Sequence, residues 1–344
     1  MTVPTAQAGI DASRVSAWLA TALGLRPPLE FTRIGHGQSN LTYLVEDSAG
    51  AGVVLRRPPL GELARGAHDM AREHRILTAL EHEPVPTPRP LAFTDDQRVT
   101  GATVHVMEYM QGRVLHTEEE ARRLTVPARG RVGIDVARSL ARLHDVDVDA
   151  VGLGDLGRRD AYAERQLRGW LRQWEATRTR ALPSIDETAA LLKRRIPPQR
   201  RAALVHGDYN LANAIVAETG QIRAILDWEL STLGDPIADL GTLLCYWVDD
   251  PADAILERDP VTVLNGFPSR AEVVDAYATA SGSSDVENVP FWHALATWKL
   301  AVILEGVYRR RLANPANSRS SAEQLRAATD RVAEKAAALA RQLS

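Results

Sequence analysis

The residue pattern changes character near Gly112. Before it, short runs with strand-like composition recur at Glu30 to Ile34, Leu41 to Glu46, Val53 to Arg57, Leu91 to Phe93 and Thr103 to Glu108. After it, apolar residues return at helical spacing over Val132 to Leu143, Ala161 to Trp174, Ile185 to Leu192, Arg270 to Ala280, Phe291 to Arg311 and Ala322 to Leu343. Period-two runs make strands and 3.6-residue spacing makes helices. Strands grouped ahead of helices give a segregated α+β arrangement rather than an interleaved parallel sheet. The prediction is a bilobal chain. Residues 1–110 form a small antiparallel β-sheet lobe with one main helix, and residues 111–344 a larger, mainly helical lobe.

Local punctuation supports this division. Asp11 is placed to cap a short helix through Trp18 and Leu23, which Gly24 and Pro27-Pro28 end. The turns Gly35 to Asn40 and Asp47 to Gly50 separate the first three strands into a meander. One helix is expected from Gly61 to Leu80, followed by the extended, proline-rich segment Pro84 to Pro90.

Composition excludes some functions. A formal net charge of -3 lacks the basic excess of a general nucleic-acid binder. No apolar run approaches the roughly 18 residues of a membrane span, and Met1 to Gly9 has neither a basic flank nor an apolar core. The single cysteine, Cys245, lies in an apolar run and cannot form an intrachain disulfide. A cytoplasmic protein acting on a small molecule is expected.

The chemistry concentrates in Val205-His206-Gly207-Asp208-Tyr209-Asn210-Leu211-Ala212-Asn213, followed at Asp227-Trp228-Glu229. Two alternating runs, Ala214 to Ala217 and Ile222 to Leu226, flank the turn Glu218-Thr219-Gly220-Gln221 and read as a hairpin. That register sets Asn213 near Leu226, so the Asn213 amide and the Asp227 carboxylate are expected at its open end as oxygen donors for Mg²⁺. Asp208 precedes Asn213 by the spacing of the catalytic-loop Asp and Asn of protein kinases, in which the Asp accepts the proton of the attacking hydroxyl.

A nucleotide site is expected earlier in the chain. Gly35-x-Gly37-x-Ser39-Asn40, between two strands, can fold backbone amides over phosphates, although a plain hairpin turn has the same composition. Met70, Glu73, Leu77 and Leu80 recur at helical spacing, which sets Glu73 inside an apolar stripe where it needs a cation. Arg56 is the candidate: it shares a strand face with Val54, so Val54 can meet adenine while Arg56 reaches phosphate and Glu73. The last strand ends near Glu108 and Met110, where the composition reads equally as an apolar strand edge and where resemblance to kinases implies backbone bonds to the adenine edge.

The strings VHGDYNLAN and ILDWELSTLGDPIADLGTLL resemble the aminoglycoside phosphotransferase and choline kinase superfamily. The resemblance implies a protein-kinase-like fold, ATP and Mg²⁺ as cofactors, Asp208 as catalytic base, and Asn213 and Asp227 as metal ligands. It also implies that Gly234 to Leu240 supports the metal loop from behind. Arg56 departs from the lysine usual at that strand position. The strings GHGQSNLTYLV, VVLRRPP, ERQLRGWLRQW and DWELSTLGDPIADLG are similar to the kinase-like branch associated with acyl-CoA dehydrogenases, where arginine is expected. That branch implies transfer of the ATP γ-phosphoryl group to a hydroxyl of a small molecule such as a hydroxyacyl-CoA or hydroxy acid. Aminoglycoside O-phosphorylation and a catalytically silent nucleotide-binding module are the alternatives.

Overall fold

A computed structural model describes residues 8–35, 40–60, 69–254, 260–314 and 320–343. The chain divides into two compact units: Met1–Gly112 with Arg223–Leu230, and Arg113–Ile222 with Ser231–Ser344.

In the first unit, α1 (Ala12–Leu23) starts at an Asp11 side chain that accepts from the Arg14 amide, and it ends at Gly24 in the left-handed region. The strands β1 (Glu30–Ile34), β2 (Leu41–Glu46) and β3 (Gly52–Arg57) follow. After them come α2 (Met70–Leu80), β4 (Pro90–Thr94), the short α3 (Gln97–Thr100) and β5 (Val104–Glu108). The five strands form one sheet in the order β1-β2-β3-β5-β4, with every neighbouring pair antiparallel. Of the helix expected from Gly61 to Leu80, residues 61–68 lie outside the described residues; α2 begins after the cap Asp69, whose carboxylate accepts from the Arg72 amide.

β3 is the central strand and is buried from Val53 through Arg57, rather than on alternate positions. Val53 and Leu55 join one apolar cluster with Val15 and Leu19 of α1. Arg56 lies on the other face, toward Glu73 of α2. Helices on both faces explain why a strand carrying arginine is covered throughout.

The second unit holds α4 (Glu118–Arg122), α5 (Val126–His144), α6 (Tyr162–Thr177) and α7 (Pro183–Arg194). Strands β6 (Ala203–Val205) and β7 (Ala214–Val216) follow, and the chain passes into the first unit within β8 (Ile222–Ile225). It returns at Ser231 to form β9 (Thr232–Gly234), which pairs antiparallel with β6. Then come α8 (Ile237–Tyr246), α9 (Arg270–Ser281), α10 (Val289–Ala313) and α11 (Ala322–Arg341). The core helix α10 packs on α11, α8, α6 and α7.

Two differences from the expected helices have local causes. α5 begins six residues earlier than Val132, at a Thr125 cap with proline in its first turn. It contains Gly133, where an added Cβ would lie 2.2 Å from the Pro268 ring, so the glycine permits a close approach. α8 buries Ile237, Leu240, Leu243 and Leu244 around most of its circumference, which leaves no amphipathic stripe to betray it.

Candidate active site

The second unit holds the loop with Asp208. It leaves β6 at Val205 and turns at Gly207, whose φ of 87° is costly for any residue with a Cβ. Asp239, in the first turn of α8 and 1% exposed, fixes this turn from behind. Its Oδ2 accepts from the His206 amide at 2.6 Å and its Oδ1 from the Gly207 amide at 2.8 Å. Oδ2 also meets Nε2 of His144 on α5 at 3.2 Å, and His144 Nδ1 meets the Tyr277 hydroxyl at 2.8 Å. Burial lowers the His144 pKa, whereas hydrogen bonding from His144 helps hold Asp239 ionised against its own burial.

Beyond the turn, the Asp208 amide donates to His206 Nδ1 at 3.3 Å. Asn213 Nδ2 donates to the Asp208 carbonyl and to Asp208 Oδ2, both at 2.9 Å. Asn210 Nδ2 also reaches the Asp208 carboxylate, at 3.2 Å, while its own oxygen caps the single 3₁₀ turn that carries Asn213. With both amide nitrogens turned onto Asp208, the Asn213 oxygen makes no hydrogen bond among the described residues. The expected turn closes, with the Ala217 amide donating to the Gln221 carbonyl and the Gly220 amide to the Ala217 carbonyl.

Asp208 and Asn213 line a cavity of about 300 Å³. Leu115, Leu243, Tyr246 and Trp247 contribute to its largely apolar wall, and Asp208 is the only carboxylate among the described lining residues. Cys245 joins that wall as an inert thiol, since burial pushes its pKa up to about 11.

In the first unit, Arg56 Nη1 donates to Glu73 Oε1, and Arg56 Nη2 donates to Asp227 Oδ1 at 2.9 Å. Glu73 is 1% exposed. Burial pushes its carboxyl up, and the adjacent Arg56 guanidinium opposes that shift. Asp227 has a φ of 69°, uncommon for a residue with a side chain and a form of backbone strain that concentrates at functional positions. Asn40 is buried and its Nδ2 donates to Glu229 Oε2 at 3.0 Å. Val54 is buried on the central strand, paired with Leu44 and Met107. Gly35 sits at a φ of 82° with open space around it, while Gly37 and Ser39 lie outside the described residues. The Glu108 amide already donates to the Arg89 carbonyl at 2.9 Å, and Met110 is partly buried beyond the strand end.

Asn213 in the second unit and Asp227 in the first each carry a side-chain oxygen of the kind that hard divalent cations take. Mg²⁺ keeps several waters and takes one or two protein oxygens besides phosphate. Among the described residues no group of three or more His, Cys, Asp or Glu side chains is gathered as for a transition metal.

Sequence reasoning did not assign Glu229 or His144. Their partners are distant in the chain, as with the 95 residues between His144 and Asp239, and no local periodicity marks them.

A family model described as the phosphotransferase enzyme family matches residues 30–292. Acyl-CoA dehydrogenase family member 10 of Mus musculus is 34% identical over 310 residues, covering 89% of this chain and 29% of the mouse protein. This chain spans between 29% and 38% of the lengths of the curated relatives it matches. A crystal structure of a candidate aminoglycoside phosphotransferase from Ralstonia eutropha JMP134 superposes with a TM-score of 0.81 at 28% identity, covering 97% of this chain and 99% of that one. The amicoumacin kinase hAmiN, solved with AMP-PNP, Ca²⁺ and Ami, has a TM-score of 0.61 at 16% identity, with 95% of each chain covered. No helix among the described residues is long and apolar enough to cross a membrane.

Proposed function

This chain belongs to the phosphotransferase enzyme family, with a protein-kinase-like fold and a kinase-type reaction at a hydroxyl group, and from that premise we propose that it transfers the γ-phosphoryl group of ATP to a hydroxylated acyl compound, a hydroxy acid or hydroxyacyl-CoA. The observation that carries this reading is the Asp208 loop, clamped by Asp239 and facing a largely apolar cavity. A polycationic antibiotic calls for a cleft rich in carboxylates, whereas this lining suits an acyl chain bearing a hydroxyl.

In the proposed reaction, Asp208 orients the acceptor hydroxyl and takes its proton as the oxygen attacks the γ-phosphorus. Asn213 and Asn210 hold the Asp208 carboxylate in position through the hydrogen bonds at 2.9 and 3.2 Å. Asn213 and Asp227 are the proposed magnesium ligands, and the bound ion would neutralise phosphate charge. Arg56, fixed by Glu73 and Asp227, supplies a positive charge to the nucleotide phosphates in place of lysine. Gly35, Gly37, Ser39 and Asn40 are proposed around the phosphates, and Val54, Glu108 and Met110 around adenine. The nucleotide and divalent ion in the hAmiN structure support ATP and Mg²⁺, and the buried lone Cys245 is compatible with a reducing cytoplasm.

The test is mass spectrometry after incubation with ATP, Mg²⁺ and pooled hydroxyacyl-CoAs, hydroxy acids, amino alcohols and aminoglycosides. We expect one hydroxyacyl or hydroxy-acid ion to gain one phosphoryl group with wild type and not with Asp208→Asn. A phosphorylated aminoglycoside as the sole product, or full activity in Asp208→Asn, would refute the reading.

A further inference from the structure

α8 serves the cavity beside Asp208 twice. Its first turn carries Asp239, which holds the His206 and Gly207 amides. Its last residue, Tyr246, stands about 10 Å further along the helix axis. Tyr246 lines the cavity together with Leu243 and Trp247. Positions three and four apart share one helix face, which brings these three side chains to the same space. The helix that fixes the Asp208 loop therefore also fixes Tyr246.

The Tyr246 hydroxyl makes no hydrogen bond among the described residues. Tyr209 and Tyr277 in the same unit engage theirs with the Val136 carbonyl and with His144 Nδ1, each at 2.8 Å. Burial raises the Tyr246 pKa, and the Cys245 thiol and the Asp208 carboxylate raise it further, so the phenol keeps its proton. A ring that only fills space accounts for the apolar contacts of Tyr246. It does not account for the hydroxyl, because tyrosine hydroxyls withdrawn from water ordinarily find a partner.

Other side-chain donors of the lining are taken: Asn210 and Asn213 by Asp208, Thr262 by the Val248 carbonyl and Trp247 by the Pro268 carbonyl. Asp208 can accept from a hydroxyl of a bound molecule, and Tyr246 can donate to a second oxygen of it. A carboxylate at that second position would bring another negative charge beside Asp208, and no lysine or arginine is among the described lining residues to offset it. An uncharged carbonyl oxygen meets the donor without that cost.

We propose that Tyr246 donates a hydrogen bond to the uncharged carbonyl oxygen of a thioester in the phosphoryl acceptor, and so selects hydroxylated thioesters over alcohols that lack the carbonyl. Placing the acceptor hydroxyl at Asp208 rests on the phosphotransferase reading above; the contact between Tyr246 and a carbonyl does not.

The test is a thermodynamic cycle on binding to the full chain, measured by calorimetry without ATP. The probes are 3-hydroxybutyryl-CoA and 4-hydroxybutyryl-CoA, each paired with the thioether in which a methylene replaces the carbonyl, S-(3-hydroxybutyl)-CoA and S-(4-hydroxybutyl)-CoA. Wild type should bind at least one thioester about tenfold or more tightly than its thioether, and Tyr246→Phe should remove most of that preference. Tyr246→Leu takes its place if the phenylalanine variant does not fold. The cycle subtracts each probe's own hydration and whatever the substitution does to both probes alike, so a role in packing alone leaves the preference unchanged. No binding of any probe, no preference for a thioester in wild type, or the same preference in a folded Tyr246 variant would overturn the proposal. A preference lost in the variant, without ATP-dependent phosphorylation of any probe by wild type, would support the contact and count against the phosphotransferase reading. Phosphorylation with a preference indifferent to Tyr246 would do the reverse.

Discussion

Replacing Asp239 with asparagine should release the Asp208 loop without removing any group from it. The carboxylate serves three donors with two oxygens: Oδ2 takes the His206 amide and His144 Nε2, and Oδ1 takes the Gly207 amide. An amide has one oxygen and one NH₂. With its oxygen on the His206 side, the NH₂ faces the Gly207 N–H. Turned over, it can donate to His144 if the imidazole changes tautomer, but it then faces the His206 N–H. In either orientation one buried backbone N–H of the loop loses its acceptor, at about 1–3 kcal/mol, and the remaining bonds lose their charge assistance. The expected destabilisation is about 2–4 kcal/mol, concentrated at the turn. Amide hydrogen exchange resolves this: protection at His206 or Gly207 should fall by about thirtyfold or more, with smaller changes in α10 and α11. Unchanged protection at both amides in Asp239→Asn would refute the reasoning, because the carboxylate would then not be what holds the turn.

Two further outcomes are expected. Glu73→Gln leaves Arg56 with Asp227 as its charged partner, so stability in urea should fall by about 1–3 kcal/mol and ATP affinity with it; unchanged values for both would show that the pair is dispensable. Burial pushes the His105 imidazole from 6.5 down to about 3. The unfolded chain therefore takes up the proton first, and stability should be full above pH 6.5 and decline toward pH 3, by at most about 5 kcal/mol. Urea titrations from pH 7 to pH 4 should show a flatter profile for His105→Gln, and a parallel profile would exclude this histidine as the cause.

The sheet was legible because each strand is short and bounded by turn residues such as Asp47 to Gly50. The buried Glu73 was legible for a different reason: a carboxylate in an apolar stripe is incomplete by itself, so it demands a partner that a nearby strand can supply. α8 had no such signature, because a helix buried on nearly all sides reads as an apolar run. Asp239 was placed only through resemblance. Its partners lie on β6 and α5, and only the tertiary fold brings His144 and His206 to one carboxylate. Arg56 was expected to meet Glu73, but its second bond, to Asp227, belongs to a segment 171 residues away.

That segment, Arg223–Leu230, has a consequence for how the protein is made. It supplies the first unit with Asp227 for Arg56, Glu229 for Asn40 and the Ile225 amide for the Pro86 carbonyl. During synthesis residues 1–112 precede residues 113–222, and they remain an unfinished fold until residues 223–230 have followed. A fragment ending at Gly112 would therefore carry a buried arginine short of one counterion and a buried asparagine without its acceptor. The amino-terminal sheet is thus best regarded as waiting for its last piece, and an excised nucleotide-binding fragment would need residues 223–230 stitched back to it.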